Sequence, residues 1–182
     1  KCMEPCEHIY IWDHASTDNS KEIYEKYKDK TTVLYSDTNR FDEELICKDI
    51  LYKKMLREQP DVDWVLWLDG DLLLDGRLLV DNNLKKLCAK LDEKNVDLPC
   101  FGHYNLWRSD TFYRVDQGYH NLHGRWFPLW GKPKNKYFDT IPGLHHGQVP
   151  QGTTKAAIVD VSVIHRGFAT DEYIVEKYLR YK

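Results

Sequence analysis

Asp69 and Asp71 flank a single glycine at the end of an apolar run, Trp64-Val65-Leu66-Trp67-Leu68. Side chains two positions apart in extended chain lie on the same side. Two carboxylates held that way repel each other unless a cation lies between or beside them. An oxygen-only pair suits a hard divalent ion, Mg²⁺ or Mn²⁺, which can also take phosphate oxygens. The plainer reading is a buried strand that ends in a polar turn. Asp13 offers a second carboxylate at the end of a second apolar run, Ile9-Tyr10-Ile11-Trp12; its plain reading is a loop-initiating Asp. Arg40 and Lys48 are candidate cations for a phosphate, with the role of ordinary solvated charges the stronger reading. His145 and His146 are neighbours in an extended loop, so their side chains point apart and do not make a joint metal site.

The elements that must carry these residues follow from periodicity. Glu7–Trp12 reads as a strand, and Asp13–Ser20 as a polar loop whose Ser16 to Asn19 can cap the next helix. That helix spans about Ser20–Tyr27. Thr31–Tyr35 is rich in β-formers and reads as a strand. Asp42–Glu58 is a longer helix with Cys47, Ile50, Leu51 and Met55 at helical spacing, closed by Pro60. The Trp64–Leu68 strand follows. Strand, helix, strand, helix, strand implies a parallel sheet covered by helices. Ligands of such sheets bind outside the carboxyl ends of the strands, where Asp13 and Asp69 lie. Leu78–Lys94 reads as a third helix. After residue 99 the pattern becomes short, aromatic and turn-rich, as in antiparallel strands and long loops. Ala156–Ile164 is a further strand, and Asp171–Tyr181 a terminal helix. The fold class expected is α/β, with a mostly parallel central sheet flanked by helices and a smaller antiparallel, aromatic part in the second half.

Composition excludes some partners. At 182 residues the chain is expected to form one domain, 1–182. Its net charge of −3 leaves no basic excess to hold a nucleic-acid backbone. No apolar run approaches the roughly 20 residues of a membrane span. Five cysteines are an odd number without framework or zinc spacing, and read as reduced thiols of a cytoplasmic protein. Six Trp and twelve Tyr supply many amphipathic rings, of the kind that line sugar and nucleotide sites as well as cores.

Three segments, in order, resemble glycosyltransferases of GT-A fold, close to family 2 and its glycosyltransferase-2-like relatives. Ile9–Ser20 is similar to that family's strand and Asp-x-x-Ser-x-Asp-type loop. Asp63–Asp71 is similar to its strand and DxD motif. His165-Arg166-Gly167-Phe168, with Glu172, Lys177 and Tyr178 behind it, is similar to a His-containing C-terminal segment and helix. The resemblance implies a nucleotide-binding half, 1–98, and an acceptor-binding half, 99–182. It implies transfer of a sugar from a nucleotide diphosphate sugar, a UDP-sugar first, to a glycan or other hydroxyl acceptor. Asp13 would bind the nucleobase, Asp69 would lie by ribose and metal, Asp71 would bind the metal, Mn²⁺ or Mg²⁺, and His165 would complete its shell. The chain departs from the pattern in two places. The family's opening strand and helix have no counterpart before Glu7, so further chain with a strand beside Glu7–Trp12 is expected. Leu72 stands where relatives often carry an acidic residue.

An inverting transfer needs a carboxylate to take the acceptor proton. Asp110, Asp116 and Asp139 are the candidates, and Asp116, beside the aromatic run, is the first choice. Two rivals share the motif. A haloacid-dehalogenase-type phosphatase would use Asp69 as nucleophile and Asp71 as acid–base, but has Thr where this chain has Leu73. A metal-dependent carbohydrate-binding module would use the same carboxylates and aromatics without turnover.

Overall fold

The computed structural model describes residues 5–40, 43–116, 125–138 and 149–180. They form a mixed α/β structure with four α-helices and three small sheets. The chain divides into two compact units that interleave in sequence, residues 1–63 with 132–153 and residues 64–131 with 154–182.

In the first unit, β1 (Ile9–His14) and β2 (Thr31–Ser36) pair in parallel, Ile9 opposite Thr31 and Asp13 opposite Tyr35. The short helix α1 (Ser20–Lys26) makes the crossover between them. Asn19 is its N-cap without a side-chain bond; Asp18 Oδ1 takes the Ser20 amide at 3.0 Å. The cap thus falls within the Ser16–Asn19 stretch expected to supply it, with Asp18 making the side-chain bond. Helix α2 (Glu44–Glu58) packs on β1 and buries a broad face that includes Leu45, Cys47, Leu51, Tyr52 and Met55. Ile50, expected on that face, is exposed. The same face buries Lys48 and Asp49, which is tolerable because each meets an opposite charge one turn away, Glu44 and Lys53. Tyr52 donates to the Pro133 carbonyl at 2.7 Å and meets Phe138 edge-on.

The second unit departs further from expectation. Of the run 64–68 only β3 (Trp64–Leu66) is strand, and it pairs antiparallel with β7 (Leu129–Gly131). Trp67 leaves the ladder by donating its amide to the Pro128 carbonyl at 2.6 Å. The chain then turns through Asp69-Gly70-Asp71 into a new strand, β4 (Leu72–Leu74). The main sheet has the order β4-β8-β5-β6, where β5 is Leu98–Asn105, β6 Arg125–Trp126 and β8 Ala156–His165. Strand β8 runs antiparallel to β4 and parallel to β5, while β6 is antiparallel to β5. The described pairings are thus mixed, where the alternation of strands and helices had implied a mostly parallel sheet. Strand β5, expected among antiparallel strands, has a parallel neighbour.

Helix α3 (Asn83–Glu93) is shorter than the 78–94 expected. Asp75 caps a single 3₁₀ turn at Gly76–Leu78, and Asp81 and Asn82 are left-handed (φ 52° and 56°), which stops any helix running through them. Phe101, Leu129, Trp130 and Val163 are at most 1% exposed and form the centre of this unit's core. Asp97, 1% exposed, accepts the Thr154 and Lys155 amides at 2.7–3.1 Å and so fixes the entry to β8. The last helix, α4 (Asp171–Arg180), follows the β8 exit.

Candidate active site

The register of the main sheet assembles the site. Leu72 lies opposite His165 across the β4–β8 pair, and Asn105 lies opposite His165 across the β5–β8 pair. The carboxyl end of β8 is therefore flanked by the start of β4 on one side and the end of β5 on the other. Asp71, just ahead of Leu72, comes to His165 in consequence. Its Oδ2 is 3.0 Å from His165 Nε2, although 94 positions separate them in the chain. The Asp71 carbonyl also accepts the Arg166 amide at 2.8 Å, which locks the turn to the β8 exit.

Helix α4 adds a cation. Lys177 Nζ donates to Asp71 Oδ2 at 3.0 Å and lies 3.2 Å from His165 Nε2. It also sits over the Phe168 ring, 4.7 Å from the centroid. The Lys177 side chain is 17% exposed and that of Asp71 37%. Burial alone would raise the Asp71 carboxyl. The bond and charge of His165, and then the charge and bond of Lys177, outweigh it and hold the group well below the usual carboxylate range.

Asn105 orients the imidazole. Its Nδ2 faces His103 Nδ1 at 3.5 Å, so its Oδ1 is the atom that meets His165 Nδ1, at 2.6 Å. An amide oxygen only accepts, so Nδ1 of His165 carries the proton. Nε2 lies on the Asp71–Lys177 side, where it donates to Asp71 Oδ2 when the ring carries both protons and offers a lone pair when it does not. A carbonyl fixing one ring nitrogen while the other faces a cation is the usual arrangement of a metal-binding histidine.

Gly167 keeps the space open. A Cβ there would lie 2.6 Å from both Asp71 Oδ2 and His165 Nε2, and closer still to Lys177 Nζ. No side chain fits without pushing the three groups apart. A divalent ion fits the two ligands: cis positions of an octahedron with bonds of about 2.1 Å are about 3.0 Å apart. Among the described residues, however, no three His, Cys, Asp or Glu side chains gather to hold a metal. The expected trio of Asp69, Asp71 and His165 is therefore represented by its last two members. Asp69 stands two residues earlier on the turn, half-buried, with its carbonyl accepting the Leu72 amide at 3.0 Å.

Asp13 is in the first unit, 2% exposed at the end of β1. Ala15 is left-handed (φ 58°), and the turn brings the Ser16 amide to Asp13 Oδ1 at 2.7 Å. Oδ2 is buried and meets no partner at full hydrogen-bond geometry among the described residues, although the Tyr24 hydroxyl approaches the carboxylate. Buried carboxylate oxygens are costly to leave so, which makes this atom a natural receiver for a ligand donor. Burial raises the neighbouring Tyr24 hydroxyl, with Ser20 and Asp13 close by, and burial lowers His14, which is surrounded by Asp13, Glu44, Arg40 and Lys48. Lys48 is buried and paired with Glu44; Arg40 is paired with Glu43 and lies over the Trp12 ring. Neither is a loose solvated cation.

Of the three candidate bases, the two within the described residues are ion-paired. Asp116 accepts two hydrogen bonds from Arg114, at 2.8 and 2.7 Å, and Arg114 in turn lies over Trp107. To take a proton, Asp116 must leave that guanidinium. Asp110 is paired with Arg166 at 2.9 Å. Asp139, His145 and His146 lie outside the described residues. Asn105 carries no role in the sequence reading, and Gly167 and Lys177 enter it only as part of a motif. A glycine two residues after a candidate ligand was the one available signal. No helix among the described residues is long and apolar enough to cross a membrane.

Compared with models of known protein families and with curated proteins, the chain matches none.

Proposed function

We propose that the chain is a glycosyltransferase that moves a sugar from a nucleotide diphosphate sugar, a UDP-sugar first, to a hydroxyl acceptor. The observation that carries this reading is the meeting of Asp71 and His165 at 3.0 Å from distant parts of the chain, beside a glycine that leaves room for an ion. A chance Asp-x-Asp at a strand end has no reason to find an oriented histidine. Asp71 and His165 would hold a divalent ion, Mn²⁺ ahead of Mg²⁺ because one ligand is nitrogen. When bound, the ion would neutralise charge on the diphosphate leaving group. Asp69 would contact ribose or a metal-bound water. Asp13 would accept a hydrogen bond from the nucleobase through its buried Oδ2.

The parallel β1–α1–β2 arrangement supports the GT-A-like reading of the nucleotide-binding half. The exposed rings of Trp107, Phe112 and Tyr113 suit a glycan acceptor. For the acceptor proton we retain Asp116, which must exchange Arg114 for the hydroxyl.

The test is incubation with a panel of nucleotide sugars and Mn²⁺, with release of nucleoside diphosphate as the signal. Release that is lost in Asp71→Asn supports the reading. Phosphate release from phosphomonoesters in its place identifies a phosphatase, and sugar binding without any release identifies a binding module; either outcome overturns it.

A further inference from the structure

We propose that Lys177 is a built-in placeholder for the divalent ion, and that its displacement makes ion binding depend on the arrival of a diphosphate. This rests on the metal reading of Asp71 and His165. The ammonium lies 3.0 Å from Asp71 Oδ2 and 3.2 Å from His165 Nε2, so it already answers the two groups that would hold the ion. It donates to the carboxylate and lies against His165 Nε2, the ring nitrogen that Asn105 does not engage. Facing both Asp71 Oδ2 and His165 Nε2, the ammonium stands where an ion shared by these two atoms would approach, and two cations at that range repel, so ion entry moves Lys177 aside.

The surroundings favour the resting position. The Lys177 side chain is 17% exposed and its ammonium stacks on Phe168, and a bare ion offers it no replacement anion. A diphosphate does, because its oxygens can pair with the displaced ammonium and coordinate the ion together. Protein with no anion bound therefore holds its own cation and takes the metal poorly. Ion and diphosphate then bind with positive coupling, each raising the other's affinity by the same factor. Closure by Lys177 lowers apparent metal affinity by the fraction of molecules in which the site is open.

The experiment titrates Mn²⁺ into the chain and follows the electron paramagnetic resonance signal of the free ion, with and without inorganic pyrophosphate. Wild type should bind Mn²⁺ weakly alone and much more tightly with pyrophosphate. Lys177→Met, which keeps the stem on Phe168, should bind Mn²⁺ alone about tenfold more tightly and lose most of the pyrophosphate coupling. Lys177→Gln should behave alike, and Lys177→Arg should stay like wild type; circular dichroism checks that each is folded. If folded Lys177→Met and Lys177→Gln match wild type in Mn²⁺ affinity and coupling, the placeholder is wrong while the metal site stands. If no variant and no wild type binds Mn²⁺ even with pyrophosphate, the placeholder falls together with the metal reading.

Discussion

Replacing Gly167 by alanine tests the site with the smallest possible change. The added methyl would lie 2.6 Å from both Asp71 Oδ2 and His165 Nε2, inside the 3.0 Å that real Cβ contacts respect. Each ligand atom must therefore retreat by at least about 0.4 Å, twice the roughly 0.2 Å that a metal site tolerates. All three crowded atoms are side-chain tips, so the fold can yield at modest expense. Overpacking typically costs about 1–3 kcal/mol, and tips that can swing put this change near 1 kcal/mol. In a chain of this length that lowers Tm by about 2–4 °C. The effect on the site should be larger: Mn²⁺-dependent UDP affinity, measured by titration calorimetry, should fall at least about tenfold, or 1.4 kcal/mol. Wild-type affinity in a folded Gly167→Ala variant would refute the argument that this glycine reserves the ion's place. A collapse of Tm by tens of degrees would refute the claim that only mobile tips are in its way.

Asp13→Ala should weaken UDP binding by about 1–3 kcal/mol, the loss of a charge-assisted bond in a buried place; unchanged affinity in calorimetry with an intact fold would remove the nucleobase role. The depressed Asp71 carboxyl predicts a pH signature. Its stabilising contribution should be fully present above the unfolded value near 3.8 and be lost as pH falls through the lower folded value. The stability gap between wild type and Asp71→Asn in urea should accordingly shrink in acid below about 4; a gap that grows as pH falls from 4 contradicts the ion pairs. Asp97→Ala strands the Thr154 and Lys155 amides and should cost about 2–4 kcal/mol in urea unfolding. A loss under 0.5 kcal/mol, on the order of a neutral surface change, would show that these bonds do not hold the β8 entry.

Periodicity located the elements because it reports which side of a segment is buried. It does not report which segments are neighbours. β1, β2, α2 and β8 were legible within a few residues, as was the meeting of Asp71 with His165, which Asp69 does not join among the described residues. The reason Asp71 meets His165 was not. Asp69 and Asp71 read as the exit of the strand at 64–68, whereas it is the following strand, β4, that pairs with β8. Three leucines after a glycine turn look like a turn's continuation, and only the ladder with Ile164 and Val163 makes them a strand. Asn105 was invisible for a related reason: it closes an aromatic run, and its role depends on the parallel register of β5 against β8. The early end of α3's expected span has a purely local cause, left-handed Asp81 and Asn82, which neither residue type forces. Asp97 was overlooked because a lone Asp before a strand ordinarily reads as a solvated turn residue.

The central claim is that Asp71 and His165 hold one ion with a nucleotide. It is tested most directly by pulsed electron paramagnetic resonance of Mn²⁺ bound to the chain with UDP. Hyperfine coupling to an imidazole nitrogen is expected, lost in His165→Ala, with no tightly bound Mn²⁺ in Asp71→Asn. A bound ion without nitrogen coupling in wild type, or with coupling that survives in His165→Ala, would contradict it.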